Sequence, residues 1–283
     1  MPGTSSTRRY VGCMSDAPDP HSDPTPGQHE IRWVFHATAM VQDYVQARNA
    51  LVRSLGMRVL EDTVLPEPEV GRRGGLNWIG DHSIEIGEPA GENSPVQAHI
   101  ERFGPGLHSI GLQVTDLDAT IAHLESVGVT VAAHSEEFAF IFCDPRTTAG
   151  ILLQFASVEM PFDPRFSNAV PVADEPSTHA VHALAWIEAQ SCQPQVDAQR
   201  LGEVLGTATW SGPDVFGEGS QIVSLSSCCL LLTPNPQAPR AHLHQLVYLV
   251  SGQDDELIEL DLDETGQIPI ALTDSLLPGD PRI

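Results

Sequence analysis

Glu85 stands between Ile84 and Ile86 in the run HSIEIGEP, and that neighbourhood decides how its carboxylate must be read. In an alternating strand the two isoleucines share one face and Glu85 takes the other. An unpaired charge on a half-buried sheet face is costly, so a role for Glu85 as a ligand is favoured. Other donor groups also stand in apolar runs: His36 in IRWVFHATAMV, the pair His108-Ser109 in LHSIGLQV, and Gln154 in GILLQF. His36 shares a strand face with Thr38 and Met40. That leaves Phe35, Ala37, Ala39 and Val41 for the opposite face, and places His108 with Ile110 and Leu112. Imidazoles and carboxylates move protons or bind cations near neutral pH, provided the fold brings them together.

Composition removes several alternatives. All fourteen basic residues are Arg, and lysine is absent. Schiff-base catalysis, pyridoxal phosphate attachment and a Walker-type phosphate loop all need an amine and are excluded. An anionic ligand must be held by Arg, a helix N-terminus or a metal. The net charge of -24 disfavours nucleic acid. No apolar run reaches bilayer length and no apolar leader is visible, so no membrane partner is expected. The five cysteines include no CxxC pair and read as reduced, mostly buried thiols of a cytoplasmic protein. Cys228 and Cys229 are adjacent in a strand and should point to opposite faces.

The elements that must position these groups repeat. Gly106 to Phe155 reads as strand, helix and three strands: LHSIGLQV; DLDATIAHLESVG with an Asp cap and closing Gly128; then TVAAH, FAFIFC and GILLQF. The same βαβββ order covers about 31–90, with strand IRWVFHATAMV, a helix ended by Gly56, strand MRVLEDTV, a turn-rich loop LPEPEVGRRG, and strands GGLNWIG and HSIEIGEP. A third copy runs HALAWIEA, PQVDAQRLGEVLG, TATWSG, GSQIVSLS, CCLLLTPNP. A fourth begins at LHQLVYLV and reaches DELIELDLD with no room for a helix. Aligned by pattern, Phe35-His36-Ala37 sets against Val181-His182-Ala183, and Leu107-His108-Ser109 against Leu243-His244-Gln245. Odd copies match odd and even match even, which predicts two paired-module units. The expected organisation is a disordered tail over 1–29, with Met14 as an alternative start, a first domain over 30–157, a Pro-rich linker over 158–177, and a second, truncated and degenerate domain over 178–283. The fold class is α+β.

The βαβββ unit resembles half of a vicinal oxygen chelate domain, the superfamily of glyoxalases, bleomycin-resistance proteins, methylmalonyl-CoA epimerases and extradiol dioxygenases. Residues 31–157 most resemble the epimerases, through SIEIGEPAGENSPVQAHIERFGPGLHSIGLQVTDLD with its ordered Glu-Pro, Ser-Pro, Gly-x-Gly-Leu-His and Val-x-Asp. In that superfamily paired modules curl into a cup, and a divalent metal is held by residues on the first and last strand of each module. The resemblance puts His36 and Glu85 at the first two ligand positions and Gln154 at the fourth, where Glu is usual. At the third it puts Ser109, with His108 beside it able to replace it if a bulge turns its side chain inward. Thr38, Ser109, Gln113 and Trp78 are then the substrate-facing residues. In the second domain His182 matches His36, but Gln245 replaces the second His and CCLLLTPNP has no acid, so Trp186, Leu184 and Val247 are expected to line an apolar cup without metal.

The function the resemblance implies is a metal-dependent isomerase, epimerase or lyase acting on a small oxygenated, carbonyl-containing substrate through an enolate or oxyanion. Glu85 and a base from Glu61, Glu67 or Glu69 would serve catalysis, although the epimerases' Glu-x-Gln-Gly segment is missing there. With one nitrogen donor and one negative charge, the metal expected is Mg, Mn, Co or Ni, weakly held, rather than Zn or Fe. The alternative is a metal-free binding or resistance protein that sequesters an apolar small molecule. The extradiol dioxygenase pattern of His, His and Glu in one domain is absent. Beyond the small molecule, the partner considered is a second copy of the chain.

Overall fold

The computed structural model describes residues 27–61, 71–136, 139–157, 177–251 and 257–283. The first half contains β1 (Ile31–Met40), α1 (Tyr44–Leu55), β2 (Arg58–Glu61), β3 (Arg72–Ile79), β4 (His82–Pro89), α2 (Pro95–Phe103), β5 (Gly106–Val114), α3 (Leu117–Ser126), β6 (Val131–Ser135), β7 (Phe140–Cys143) and β8 (Leu152–Ala156). The second half contains β9 (Val181–Ser191), α4 (Pro194–Leu205), β10 (Thr209–Ser211), β11 (Gln221–Ser224), β12 (Cys229–Pro234), β13 (His242–Val250), β14 (Ile258–Glu259) and β15 (Ile270–Thr273). Among the described residues no helix separates β13 from β14, and no helix is long and apolar enough to cross a membrane.

Two mixed sheets result, an α+β architecture of tandem repeated units. The first has the order β2-β3-β4-β1-β5-β8-β7-β6 and the second β10-β11-β12-β9-β13-β15-β14. In each, the two module-opening strands are antiparallel neighbours at the centre, and each pairs in parallel with the last strand of its own module. This topology places the opening and closing strands side by side, so residues far apart in sequence share one concave face.

Local chemistry sets the helix ends. The Asp43 side chain accepts from Gln46 N–H at 2.9 Å at the start of α1, and Gly56 ends it in the left-handed region at φ 67°. The buried residues Tyr44, Ala47, Leu51 and Leu55 recur at helical spacing and lie on the sheet. The convex faces of both sheets and the helices share one apolar core, including Ile84, Ile86, Ile110, Leu112, Ile187, Leu230, Leu246 and Tyr248. At about 1.5–3 kcal/mol for each fully buried aliphatic side chain, this shared core holds the two sheets as one body. Polar clasps reinforce it: Leu184 N–H donates to Asp81 at 2.8 Å, Val34 N–H to Ser227 at 3.0 Å, and Arg200 to the Val127 carbonyl at 2.8 Å. Cys228 joins this core while Cys229 belongs to a separate cluster inside the second cup.

Three features differ from the pattern-based expectations. First, pairing shifts between Val34 and His36 make Phe35 a bulge residue; it packs with Trp33 and Trp78 on the concave side, not against the helix. Second, β5 carries a shift of its own. Thr38 pairs with Ser109 and Ala39 with Leu107, so His108 is the extra residue and leaves the Ile110–Leu112 face. Third, the repeat register of the first and third modules is set by the helices. Gly56 and Gly206 close α1 and α4 in the same left-handed conformation, and those helices begin at Tyr44 and Pro194. That register makes Trp186, four residues beyond His182, the counterpart of His36. His182 instead lies outside the cup, with Nε2 2.7 Å from Ser251 Oγ.

Candidate functional site

The concave face of the first sheet gathers residues from five strands. Thr38 pairs with Glu85 on β4 and Ser109 on β5; His36 pairs with Gly111, which pairs in turn with Gln154 on β8. Glu85 faces Leu76 across β3, and by alternation Arg72 and Trp78 share that face. The nominated groups His36, Glu85, Gln154, Thr38 and Ser109 therefore meet in one cup.

His36 is buried, and its Nε2 has no hydrogen-bond partner. That atom lies 3.9 Å from Glu85 Oε2. The Thr38 hydroxyl donates to the same carboxylate oxygen at 3.2 Å. Arg72 Nη1 lies 2.7 Å from the other oxygen, Oε1. Burial holds the His36 pKa below the ordinary imidazole value, against the opposing pull of the Glu85 carboxylate and the neighbouring Gln154 amide. Burial works the other way on Glu85, raising its pKa, but Arg72, His36 and Thr38 outweigh it and hold the carboxyl below its usual range. At neutral pH the cup thus presents a neutral imidazole, an ionised carboxylate and a guanidinium in a row.

Gly111 is required by this arrangement. A Cβ at that position would stand 2.7 Å from His36 Nε2 and 2.8 Å from Cδ2, so the imidazole occupies space that only glycine leaves open. One wall of the cup is apolar: the Trp33 and Trp78 rings pack at a tilt with centroids 5.9 Å apart, and Phe35 contacts the His36 ring edge-to-face at 4.3 Å. Trp78 spends its indole N–H on the Gly80 carbonyl at 2.7 Å and offers only its ring. Gln113 is buried on the same face, paired with Trp33.

Other expectations fall elsewhere. His108 sits in its bulge, with its ring 4.8 Å from that of His99 on α2. Its pKa is lowered to about 4, first by burial and then by His99, with smaller influences from Glu85 and Arg72. Glu61 ends β2, and its side chain lies outside the described residues, as do Glu67 and Glu69. Arg72 was missed because LPEPEVGRRG reads as a loop. The strand β3 begins at Arg72, and alternation along 72, 74, 76 and 78 would have brought it to the Glu85 face.

A hard divalent cation is compatible with His36 Nε2 and Glu85 Oε2. Two donors sharing one ion at bonds of about 2.1 Å stand no more than about 4.2 Å apart, and the imidazole nitrogen lacks any other partner. Gln154 would be the third donor. Among the described residues no group of three or more His, Cys, Asp or Glu is placed to hold a metal, so such binding would be weak.

The second cup is different in kind. At the positions of His36, Glu85, Ser109 and Gln154 it carries Trp186, Leu231, Gln245 and Ala271, the last three read from the strand pairings. Trp186, Val247, Leu231, Ala271 and Leu277 fill it, whereas Leu184 belongs to the shared core on the convex side. Its polar feature is Glu188, buried, which accepts from Thr233 at 2.8 Å and Gln245 at 2.7 Å.

Residues 35–140 match the family model of the glyoxalase/bleomycin resistance protein/dioxygenase superfamily. Across both sheets the chain is similar to a mutant of 4-hydroxymandelate synthase from Streptomyces coelicolor, at 16% identity and TM-score 0.59, covering 80% of this chain and 72% of that one. A fusion of a xylose isomerase-like TIM barrel with 4-hydroxyphenylpyruvate dioxygenase aligns at 15% identity and TM-score 0.56, covering 78% of this chain and 36% of that one. Methylmalonyl-CoA epimerase from Mycobacterium tuberculosis aligns at 22% identity and TM-score 0.43, over 50% of this chain and 95% of its own. No curated protein matches the sequence.

Proposed function

We propose that the protein, whose residues 35–140 match the glyoxalase/bleomycin resistance protein/dioxygenase superfamily model, is an enzyme of the isomerase, epimerase or lyase kind. Its substrate is a small oxygenated compound with a carbonyl group, taken into the first cup. The observation that carries this reading is the unpartnered, buried His36 Nε2 facing Glu85 Oε2 at 3.9 Å. A buried polar atom without a partner costs about 1–3 kcal/mol, which a bound ligand or ion would recover.

His36, Glu85 and Gln154 would hold a divalent cation of the Mg, Mn, Co or Ni type. When bound, it would supply Lewis-acid stabilisation of negative charge on a substrate oxygen. The chain's own groups do the rest. Burial keeps His36 neutral at neutral pH, so its Nε2 lone pair stays available to that cation rather than to a proton. Arg72 keeps Glu85 ionised at neutral pH and brings a second positive charge to the cup, where a developing oxyanion gains from it. Thr38 fixes the orientation of Glu85. Trp33, Phe35 and Trp78 form a dry wall that strengthens these interactions.

One observation favours the alternative, a metal-free protein that sequesters a small molecule: Arg72 already supplies Glu85 with a counter-charge. The two readings separate on proton exchange. Wild-type protein with Mn²⁺ should exchange the α-hydrogen of some member of a panel of small 2-oxo acids and thioesters for solvent deuterium, read by NMR, and His36→Ala should not. Binding of panel members without exchange, unchanged by chelator, would support the alternative.

A further inference from the structure

The bulges of β5 and β13 are equivalent. Thr38 pairs with Ser109 and Ala39 with Leu107; Glu188 pairs with Gln245 and Ala189 with Leu243, which leaves His108 and His244 as the extra residues of the two repeats. Both histidines line one cleft between the domains, of about 480 Å³. His99, Arg102, Arg240 and His242 line it as well. Among the described residues no carboxylate does, in a chain with 38 acidic and 14 basic residues.

The cleft also has an apolar floor. Phe103 is 52% exposed, with the Arg102 guanidinium 4.9 Å and that of Arg240 5.9 Å from its ring centroid. Two arginines around an exposed aromatic ring make a platform for a flat group that carries negative charge. Asp144, whose carboxylate also feels Arg240, is engaged by Arg146 and does not line the cleft. Burial, with a smaller influence of Arg240 on His99 and of His99 on His108, keeps both imidazoles neutral at neutral pH, so the positive charge of the cleft is that of Arg102 and Arg240. The walls are fixed where the domains touch. A Cβ on Gly150 would stand 2.5 Å from the Ala241 carbonyl oxygen, and one on Gly106 3.6 Å from Pro269.

We propose that this interdomain cleft binds a small organic anion, a carboxylate or phosphate monoester carried on a flat apolar body, with Arg102 and Arg240 neutralising it and Phe103 stacking beneath it. The volume lies within the range of small-molecule sites. It is separate from the cup, since none of His36, Thr38, Arg72, Glu85 and Gln154 lines it. His108 and Leu152 form the partition between the two.

The test is calorimetric titration of the full chain with benzoate and phenyl phosphate, using benzamide as the uncharged control. At least one of the anions should bind, benzamide at least tenfold more weakly, and the stronger anion identifies the headgroup class. The double variant Arg102→Ala/Arg240→Ala, which alters only exposed side chains and should keep its Tm, should weaken that binding at least tenfold. His36→Ala should leave it unchanged. Absence of binding by both anions at millimolar concentration would overturn the proposal, as would equal affinity in the double variant or loss of binding in His36→Ala.

Discussion

Arg72 and His36 flank the two oxygens of one carboxylate: Arg72 Nη1 stands 2.7 Å from Glu85 Oε1, and His36 Nε2 stands 3.9 Å from Oε2. A cation that uses Oε2 must therefore share Glu85 with a resident guanidinium. Substituting Arg72→Gln should tighten divalent-cation binding several-fold, because a competing positive charge is removed. The same change should raise the Glu85 pKa, since Arg72 is the leading influence holding it down. Metal titration of the two proteins by calorimetry measures the first effect, and carboxyl-selective NMR titration the second.

Gly111 tests the placement of the imidazole from the other side. The Gly111→Ala methyl would meet His36 Nε2 at 2.7 Å, too close for the ring to stay. We expect metal affinity and turnover to fall at least tenfold, together with a loss of stability of about 1–3 kcal/mol for overpacking. Ring displacement would be read directly from the His36 imidazole resonances.

In the second cup, Glu188 is satisfied by Thr233 and Gln245. Gln245→Leu strips one of these donors from a buried carboxylate and should destabilise the protein by at least about 1–3 kcal/mol. Leu231→Glu should not create a chelating site there, because the imidazole position holds Trp186 and the fourth position holds Ala271. Thermal denaturation and metal titration check the two parts.

Acid should loosen the joint between the domains. His82 is buried next to Tyr248 of the second sheet, with Nε2 3.3 Å from the phenol oxygen. Burial lowers its pKa to about 3. The unfolded chain, with an ordinary imidazole near 6.5, binds this proton first, so stability falls as the pH drops from about 6.5 towards 3 and is unaffected by His82 above that window. His29, lowered to about 4, adds to the same trend over the upper part of the range. Denaturant midpoints measured from pH 7 to pH 4 should decline, and less steeply in His82→Gln.

How much of this could be read from the chain depended on regularity. Wherever a strand alternates without interruption, as at Ile84-Glu85-Ile86, the faces follow from the sequence and Glu85 is placed correctly in the cup. The helix caps Asp43 and Gly56 were equally legible. Bulges were not, because the extra residue drops out of the alternation while its neighbours keep it: Phe35 and His108 each moved to an unexpected side, whereas Ala37, Ala39, Ile110 and Leu112 stayed on the core face. The shared His-Ala dipeptide pairs His182 with His36, but the helices set the repeat register and put Trp186 at that position. Arg72 was hidden by the surrounding Pro, Glu and Gly, which read as turn.

The central claim, that His36 and Glu85 form a chelating pair, is tested most directly by titrating Mn²⁺ into dialysed, untagged protein and following bound metal by electron paramagnetic resonance. The account predicts one weak, dialysable site in the wild type. It should be lost in both His36→Ala and Glu85→Ala, with Tm little changed in either. No bound Mn²⁺ in the wild type, or binding that survives both substitutions, would contradict it.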